Sequence, residues 1–210
     1  ISINFMKRIT LVALWFTAMA NAQFSYGPKA GLVLTTVKAG NTVGIEPESD
    51  VSYAFGAFSE YKFSDFSVNL GVSYGAYGSK GKTPTGEGNN TFDIDLKQKM
   101  YLFDLTANYY LTESFSIGAG GYYGAITDVE YNIADSFEVD MTNKYENSDY
   151  GVVFKANYTL YKGFFAEAKY NFGLANVIKE KPYLFQMPDP NADDTVENRF
   201  LTVSVGYRFK

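Results

Sequence analysis

Eight charged side chains stand within stretches of otherwise apolar or small residues, where their types and spacing could support chemistry. They are Lys29, Glu60, Lys62, Asp104, Lys155, Glu167, Lys169 and Arg208. If these side chains share one enclosed space, the lysines and carboxylates would pair, because a buried charge is tolerated only with a partner. Two functions fit such a set: a structural network that fills the space, and a path for ions or protons.

Other motifs fall short of a chemical site. Residues 77–83, YGSKGKT, approach the phosphate-binding loop, but Ala76 stands where its first glycine is required. Residues 189–194, DPNADD, resemble the start of a calcium loop, but Asp194 replaces the glycine of the sixth position. The chain has neither cysteine nor histidine, which excludes disulfides, thiolate zinc sites and histidine-based catalysis. The sequence therefore predicts no catalytic site, no cofactor and no metal site.

The elements that would position the eight charges are predicted to be β-strands. In residues 65–78, DFSVNLGVSYGAYG, apolar residues occupy every even position from Phe66 to Ala76, and small or polar residues lie between them. A period of two is typical of a strand whose two faces meet different environments. The same alternation predicts seven more strands, at residues 26–37, 51–63, 101–111, 115–125, 150–160, 164–174 and 200–209.

The two faces of these strands differ in size. One face carries large side chains such as Phe66, Tyr74, Phe103 and Tyr109, and the other carries mostly Gly, Ser, Thr and Asn with the eight charges. The lumen of an eight-stranded barrel is only wide enough to be filled by its own side chains, so the bulky face must point outward. In water that face would forfeit roughly 1.5–3 kcal/mol for each large apolar side chain, so we expect it to meet lipid.

Short and long connections alternate along the chain. The connections at 64–65, 112–113 and 161–163 are tight, whereas those at 38–50, 79–95, 126–149 and 175–198 are long and polar. In an up-and-down sheet, this alternation places every tight turn at one rim and every long loop at the other. Because hydrocarbon requires every backbone group to be paired, we expect residues 200–209 to pair with 26–37. The prediction is an all-β, eight-stranded antiparallel transmembrane β-barrel.

The first residues predict export. Lys7 and Arg8 precede an apolar run that is shorter than the ~20 residues of a membrane-spanning helix. Ala20 and Ala22 then give the small-x-small pattern of a signal-peptidase site. We therefore predict that residues 1–22 are upstream residues plus a signal peptide, and that 23–210 form the barrel domain.

Five stretches resemble the PorT-like outer-membrane β-barrel family: GPKAGLVLTTV, GAFSEYKFSDFSVNLGVSYGAYGSKG, ANYYLTESFSIGAGGYYGAI, FFAEAKYNFGLANV and NRFLTVSVGYRF. The resemblance implies an eight-stranded outer-membrane barrel, and one branch of the family is linked to a protein-secretion apparatus. The chain departs from the family pattern at Leu102 and Asp104, where the family often carries Glu and Pro.

The net charge of the chain argues against one class of partner. The net charge is −5, so a nucleic acid is not expected as a partner. Most acidic residues fall in or beside the long loops. We predict a non-enzymatic, monomeric barrel of a Gram-negative outer membrane, embedded in lipid, whose acidic loops contact a protein partner in adhesion, secretion or a structural complex. Two alternatives stay open: a narrow channel through the charged lumen, and a soluble, secreted lipocalin-like barrel that binds a ligand.

Overall fold

The computed structural model describes residues 23–39, 46–84, 91–133, 137–140, 142–177 and 196–210. Within these ranges the chain forms nine strands and one short 3-10 helix, Thr142–Lys144. The strands are β1 Phe24–Ala39, β2 Glu46–Phe63, β3 Phe66–Pro84, β4 Thr91–Tyr110, β5 Phe115–Ile133, β6 Phe137–Asp140, β7 Ser148–Thr159, β8 Phe164–Gly173 and β9 Val196–Tyr207. No helix of the described residues is long and apolar enough to cross a bilayer.

Eight of the strands close into an antiparallel barrel, which confirms the predicted fold. Each barrel strand pairs with the next barrel strand along the chain. Strand β6 is not one of the eight: it pairs with residues 130–133 at the C-terminal end of β5, and the N-terminal part of β5 pairs directly with β7. The barrel closes through β1 and β9, with Lys29 opposite Gly206 and Ala39 opposite Val196. The turn at Ser64 and Asp65 is tight, and Ser64 has a φ of 55° as short hairpin turns require.

The large apolar side chains lie on the outside of the barrel. Leu105 is 57% exposed, whereas its neighbours Asp104 and Thr106 are each 1% exposed and point into the lumen. The same outward exposure holds for about thirty large side chains around the barrel, among them Tyr53, Phe66, Phe103, Phe154 and Val205. A lipocalin-type barrel has the reverse polarity, so the soluble alternative is wrong.

The exposed apolar side chains form a band that fits a bilayer. The band runs from Phe66 to Tyr74 on β3, where Tyr74 is half-buried, and from Tyr101 to Tyr109 on β4, with aromatic residues at both ends. A tilted strand needs about 9–11 residues to cross the hydrocarbon layer. We take the strand segments within this band as membrane-spanning, with the tight turns on the periplasmic side and the long connections on the extracellular side.

Several strands continue far beyond the band, where the sequence predicted loops. Strand β3 extends to Pro84, β4 begins at Thr91 and β5 extends to Ile133. The predicted loops at 79–95 and 126–149 are therefore wrong over much of their length. The paired extracellular parts of these strands, residues 75–84, 91–100 and 124–133, together with β6, are called the outer sheet below.

The predicted signal peptide lies within residues 1–22, before the first described residue. Its cleavage residues Ala20 and Ala22 lie outside the described residues, so the boundary at residue 22 stays a prediction. In the described ranges, the barrel strands lie between Phe24 and Tyr207, within the predicted barrel domain.

Candidate functional site: the barrel lumen

The periplasmic end of the lumen is occupied by a hydrogen-bonded carboxylate. Arg208 Nη2 lies 3.0 Å from Glu60 Oε2. Tyr110 donates its hydroxyl to Glu60 Oε1 at 2.9 Å, and Ser67 donates to the same oxygen at 2.6 Å. Glu60 is buried and its carboxylate is paired on both oxygens, as a buried charge requires.

Aromatic side chains pack around this pair. The rings of Phe58 and Phe165 contact edge to face with 5.1 Å between their centroids, and the Arg208 guanidinium lies over both rings. Lys62 Nζ lies 3.6 Å from the centroid of the Tyr110 ring. Cation–π contacts of this kind stabilise these two positive charges in addition to the Glu60 carboxylate nearby. The periplasmic end of the lumen is thus filled by side chains.

A second group of charges crosses the centre of the lumen. Lys29 Nζ lies 2.8 Å from Glu167 Oε1, and Lys169 Nζ lies 2.7 Å from Asp104 Oδ1. Lys155 Nζ lies 3.9 Å from Glu167 Oε2. All five side chains are buried. We call Lys29, Asp104, Lys155, Glu167 and Lys169 the middle network.

The eight charges singled out in the sequence therefore fall into two groups. Five of them form the middle network, and Glu60 and Arg208 form the pair near the periplasmic end. Lys62 lies near that pair, over an aromatic ring. The alternation of the strands placed all eight on the inner face, but it gave no information on which lysine meets which carboxylate.

Two glycines make room for the luminal polar groups. A Cβ added at Gly71 would lie 2.6 Å from Asp104 Oδ2, and one added at Gly118 would lie 2.0 Å from Asn108 Oδ1. A side chain at either position would push the polar group away from its partners. The glycines on the inner face thus set the positions of the polar side chains opposite them.

The extracellular half of the lumen contains an apolar cluster, which the sequence analysis missed. Its larger members are Val33, Tyr77, Leu96, Met100, Leu102, Tyr122, Ile126, Val129, Tyr145, Val153, Val177 and Phe200, all buried. The Phe200 ring lies 4.9 Å from Tyr77 and 5.7 Å from Tyr122, between ring centroids. The prediction that the inner face is mostly small or polar is wrong in this half.

Two connecting segments cover this cluster from outside. Glu146 N donates to Val177 O at 2.9 Å, and Ile126 N donates to Asn147 O at 2.9 Å. These bonds hold Tyr145 and Val177 over the extracellular end of the apolar cluster, where both side chains are buried. Burial raises the pKa of the Tyr145 hydroxyl to about 12. We call residues 142–147 and 174–177 the cap.

A small polar group lies beneath the cap. Asp149 Oδ2 accepts hydrogen bonds from Tyr122 Oη and Asn198 Nδ2, both at 3.1 Å, and Asn198 Nδ2 also reaches Gln98 Oε1 at 3.2 Å. The Tyr122 ring has room to reach Asp149 beside Gly151, where an added Cβ would lie 2.7 Å from Tyr122 Cε1.

The outer sheet carries ion pairs on its outward face. Lys99 Nζ lies 2.9 Å from Asp128 Oδ2 and 2.5 Å from Glu130 Oε1. The hydrogen bonds that Lys99 donates to these two carboxylates raise the pKa of Lys99, and the bond from Lys99 lowers the pKa of Asp128. The pKa of Asp140 is lowered because its carboxylate accepts a hydrogen bond from Thr142. In the described part of the chain, no three acidic residues are grouped to hold a metal ion.

Most of the chain matches a known protein family. The model of the outer membrane protein beta-barrel domain family matches residues 19–179. None of the curated proteins compared with the chain matches it.

Solved outer-membrane barrels resemble the chain at low identity. Ail, the attachment invasion locus protein of Yersinia pestis, is 15% identical with a TM-score of 0.48, over 89% of this chain and 99% of Ail. OprG of Pseudomonas aeruginosa is 16% identical with a TM-score of 0.46, over 88% and 95%. Neisserial surface protein A is 12% identical with a TM-score of 0.45, over 90% and 98%. Likenesses at this level support no statement about function.

Proposed function

Because the chain belongs to the outer membrane protein beta-barrel domain family, we propose that it is a non-enzymatic surface protein whose lumen is structural and whose activity lies on the extracellular side. It is an integral barrel of the cell outer membrane, and its apolar band is embedded in lipid. The proposal concerns what the barrel does there: it presents an interaction surface for a protein partner.

The filled lumen is the observation that carries the proposal. From the periplasmic end outward, the lumen holds the Glu60–Arg208 pair, the middle network, the apolar cluster and the cap. An ion on this path would have to pass an apolar layer that includes Met100, Leu102 and Phe200, each at most 1% exposed. An eight-stranded lumen filled in this way supports a plug rather than a path for solutes.

The outer sheet supports the second half of the proposal. It raises paired strands well beyond the membrane band, and its outward face carries charged side chains such as Lys97, Lys99 and Asp128. Binding sites on barrels concentrate in the segments that a rigid scaffold holds above the membrane. A surface of this kind suits adhesion or docking within a larger complex.

The resemblance to the PorT-like family supports a finer assignment. The five motif stretches occur in the family order, and they extend over nearly all barrel strands. We therefore propose a secretion-associated structural component as the form of this interaction, with a monomeric barrel.

Conductance in planar bilayers tests the structural role of the lumen. The folded full chain is expected to give no open steps above the bare bilayer. Reproducible steps whose size changes in the Asp104→Asn variant would contradict the plug and favour the channel.

Site-specific crosslinking in whole cells tests the interaction surface. A photoreactive residue at Thr127, which is exposed on the outer sheet, is expected to give a discrete crosslinked band in the native host. The same residue at Ile117, in the lipid-facing band, serves as the matched control and should give no protein band. Identical patterns at the two positions would refute a protein partner at the outer sheet.

A further inference from the structure

Positive and negative charges are unequal in the middle network. It contains three lysines and two carboxylates, and each of the five side chains is at most 5% exposed. One positive charge therefore has no counterpart within the network. An uncompensated charge in the interior of a barrel is strongly unfavourable, so something must balance it.

The contacts identify Lys155 as the group that lacks a full partner. Lys29 and Lys169 each have a carboxylate oxygen at hydrogen-bond distance, at 2.8 and 2.7 Å. For Lys155, the nearest described carboxylate oxygen is Glu167 Oε2 at 3.9 Å, and its described hydrogen bond goes to the neutral Asn69 Oδ1 at 2.8 Å. An ammonium has three N–H donors, and the neutral amide accepts one of them.

A second donor lies two residues along β8 from the residue that is opposite this lysine. Lys169 is the register partner of Lys155, and Asn171 follows Lys169 on the same inward face of β8, opposite Val153. Asn171 is fully buried, and neither its amide nitrogen nor its amide oxygen has a hydrogen-bond partner among the described residues. A buried amide without a partner calls for a ligand that is not part of the protein.

We propose that the lumen binds one small monovalent inorganic anion of the size of chloride, beside Lys155 and Lys169, with the Asn171 amide as an additional donor. A single negative charge brings the network to electrical neutrality, whereas a divalent anion would reverse the imbalance. The anion accepts the N–H groups that the protein leaves unmatched. The filled layers above and below enclose it, so it is taken up as the barrel closes and serves as a structural component of the plug.

Bromide serves as the probe for the site itself. The full chain is refolded in bromide and crystallised, and anomalous scattering is measured at the bromine absorption edge. One peak is expected in the lumen at contact distance from Lys155 Nζ. Absence of density there, in a structure that shows bromide at the protein surface, would overturn the proposal.

The stability of the barrel gives an independent test. The full chain is refolded in sodium gluconate or in sodium chloride at equal ionic strength, and the temperature at which half of the protein loses its folded gel mobility is measured in the same salt. A ligand of the folded state is expected to raise it by about 5–10 °C at a hundredfold excess over its dissociation constant. Lys155→Met should remove this dependence, and the exposed control Lys97→Met should keep it.

The competing answer is that Lys155 is uncharged. In that case the wild-type midpoint would be the same in gluconate and chloride, and it would change only with pH. If Lys155→Met does not fold, the bromide peak decides the matter alone.

Discussion

Replacing Glu167 by Gln is the change that most strongly tests the role of the luminal charges. This carboxylate lies 2.8 Å from Lys29 and 3.9 Å from Lys155, so its loss leaves two buried lysines without a described carboxylate at ion-pair distance. The amide keeps the shape and can still accept a hydrogen bond. The variant therefore removes the charge and turns one of the two acceptor oxygens into a donor, without a change in shape.

The expected cost follows from burial. Removing one partner of a buried ion pair destabilises a protein by about 3–5 kcal/mol, because the remaining charge is left without compensation. This corresponds to a loss of about a hundredfold to several thousandfold in the folding equilibrium constant. Asp95→Asn is the matched control, since its partner Lys97 is 43% exposed at 3.3 Å, and it should cost less than about 1 kcal/mol.

The assay is equilibrium folding of the full chain into lipid vesicles against urea, followed by gel mobility without boiling. The double variant Glu167→Gln, Lys29→Met removes both charges of the closest pair and is expected to recover more than about 1 kcal/mol relative to Glu167→Gln alone. A cost for Glu167→Gln no larger than that of Asp95→Asn would refute the account of the middle network.

Two further predictions concern packing and pH. Gly71→Ala places a Cβ 2.6 Å from Asp104 Oδ2 and should destabilise the barrel by about 1–3 kcal/mol in the same assay, whereas Gly121→Ala, whose nearest atom is 3.7 Å away, should be tolerated; equal effects would contradict the steric argument. The Lys99–Asp128 pair lowers the pKa of Asp128, so its stabilisation is present above the unfolded value near 3.8 and is lost as pH falls through the folded value. Amide protection in the outer sheet, corrected for intrinsic exchange, should therefore fall in acid, and it should fall by less in Asp128→Asn, where only the contributions of Glu130 and Asp140 remain.

The membrane-spanning segments could be predicted because their alternation is simple. Between Phe66 and Tyr74 every second residue is large and apolar, and the residues between them are small or polar, so the period of two is visible without a structure. The closure of β1 on β9 followed from the requirement that hydrocarbon leaves no strand edge unpaired.

The outer sheet could not be predicted because its large apolar residues point inward, whereas those of the membrane band point outward. Above the band, water lies outside and the apolar cluster lies inside, so Leu96 and Met100 point inward while Tyr101 and Phe103 point outward on the same strand. The register between β4 and β5 shifts at Lys99 and Met100, where Thr127 of β5 has no register partner on β4, and this bulge breaks the period of two in β5. A change of face and a bulge both remove the signal that alternation provides.

The apolar half of the lumen was missed for a related reason. At 101–103 and 152–154, three apolar residues follow one another and point to the two faces of the strand in turn. The inward Leu102 and Val153 could therefore not be distinguished from their lipid-facing neighbours by alternation. Consecutive apolar residues within an alternating strand were the signal that could have revealed it. The individual ion pairs depend on register and shear across several strands, which a single sequence does not contain.

The placement of the two strand faces is the central claim, and paramagnetic accessibility tests it most directly. The chain has no cysteine, so single cysteines can carry nitroxide labels at Leu70 and Leu105 on the outward face. The account predicts that both labels collide readily with oxygen dissolved in lipid and poorly with a water-soluble nickel chelate. Labels at these positions that favour the chelate over oxygen would contradict the lipid-facing assignment.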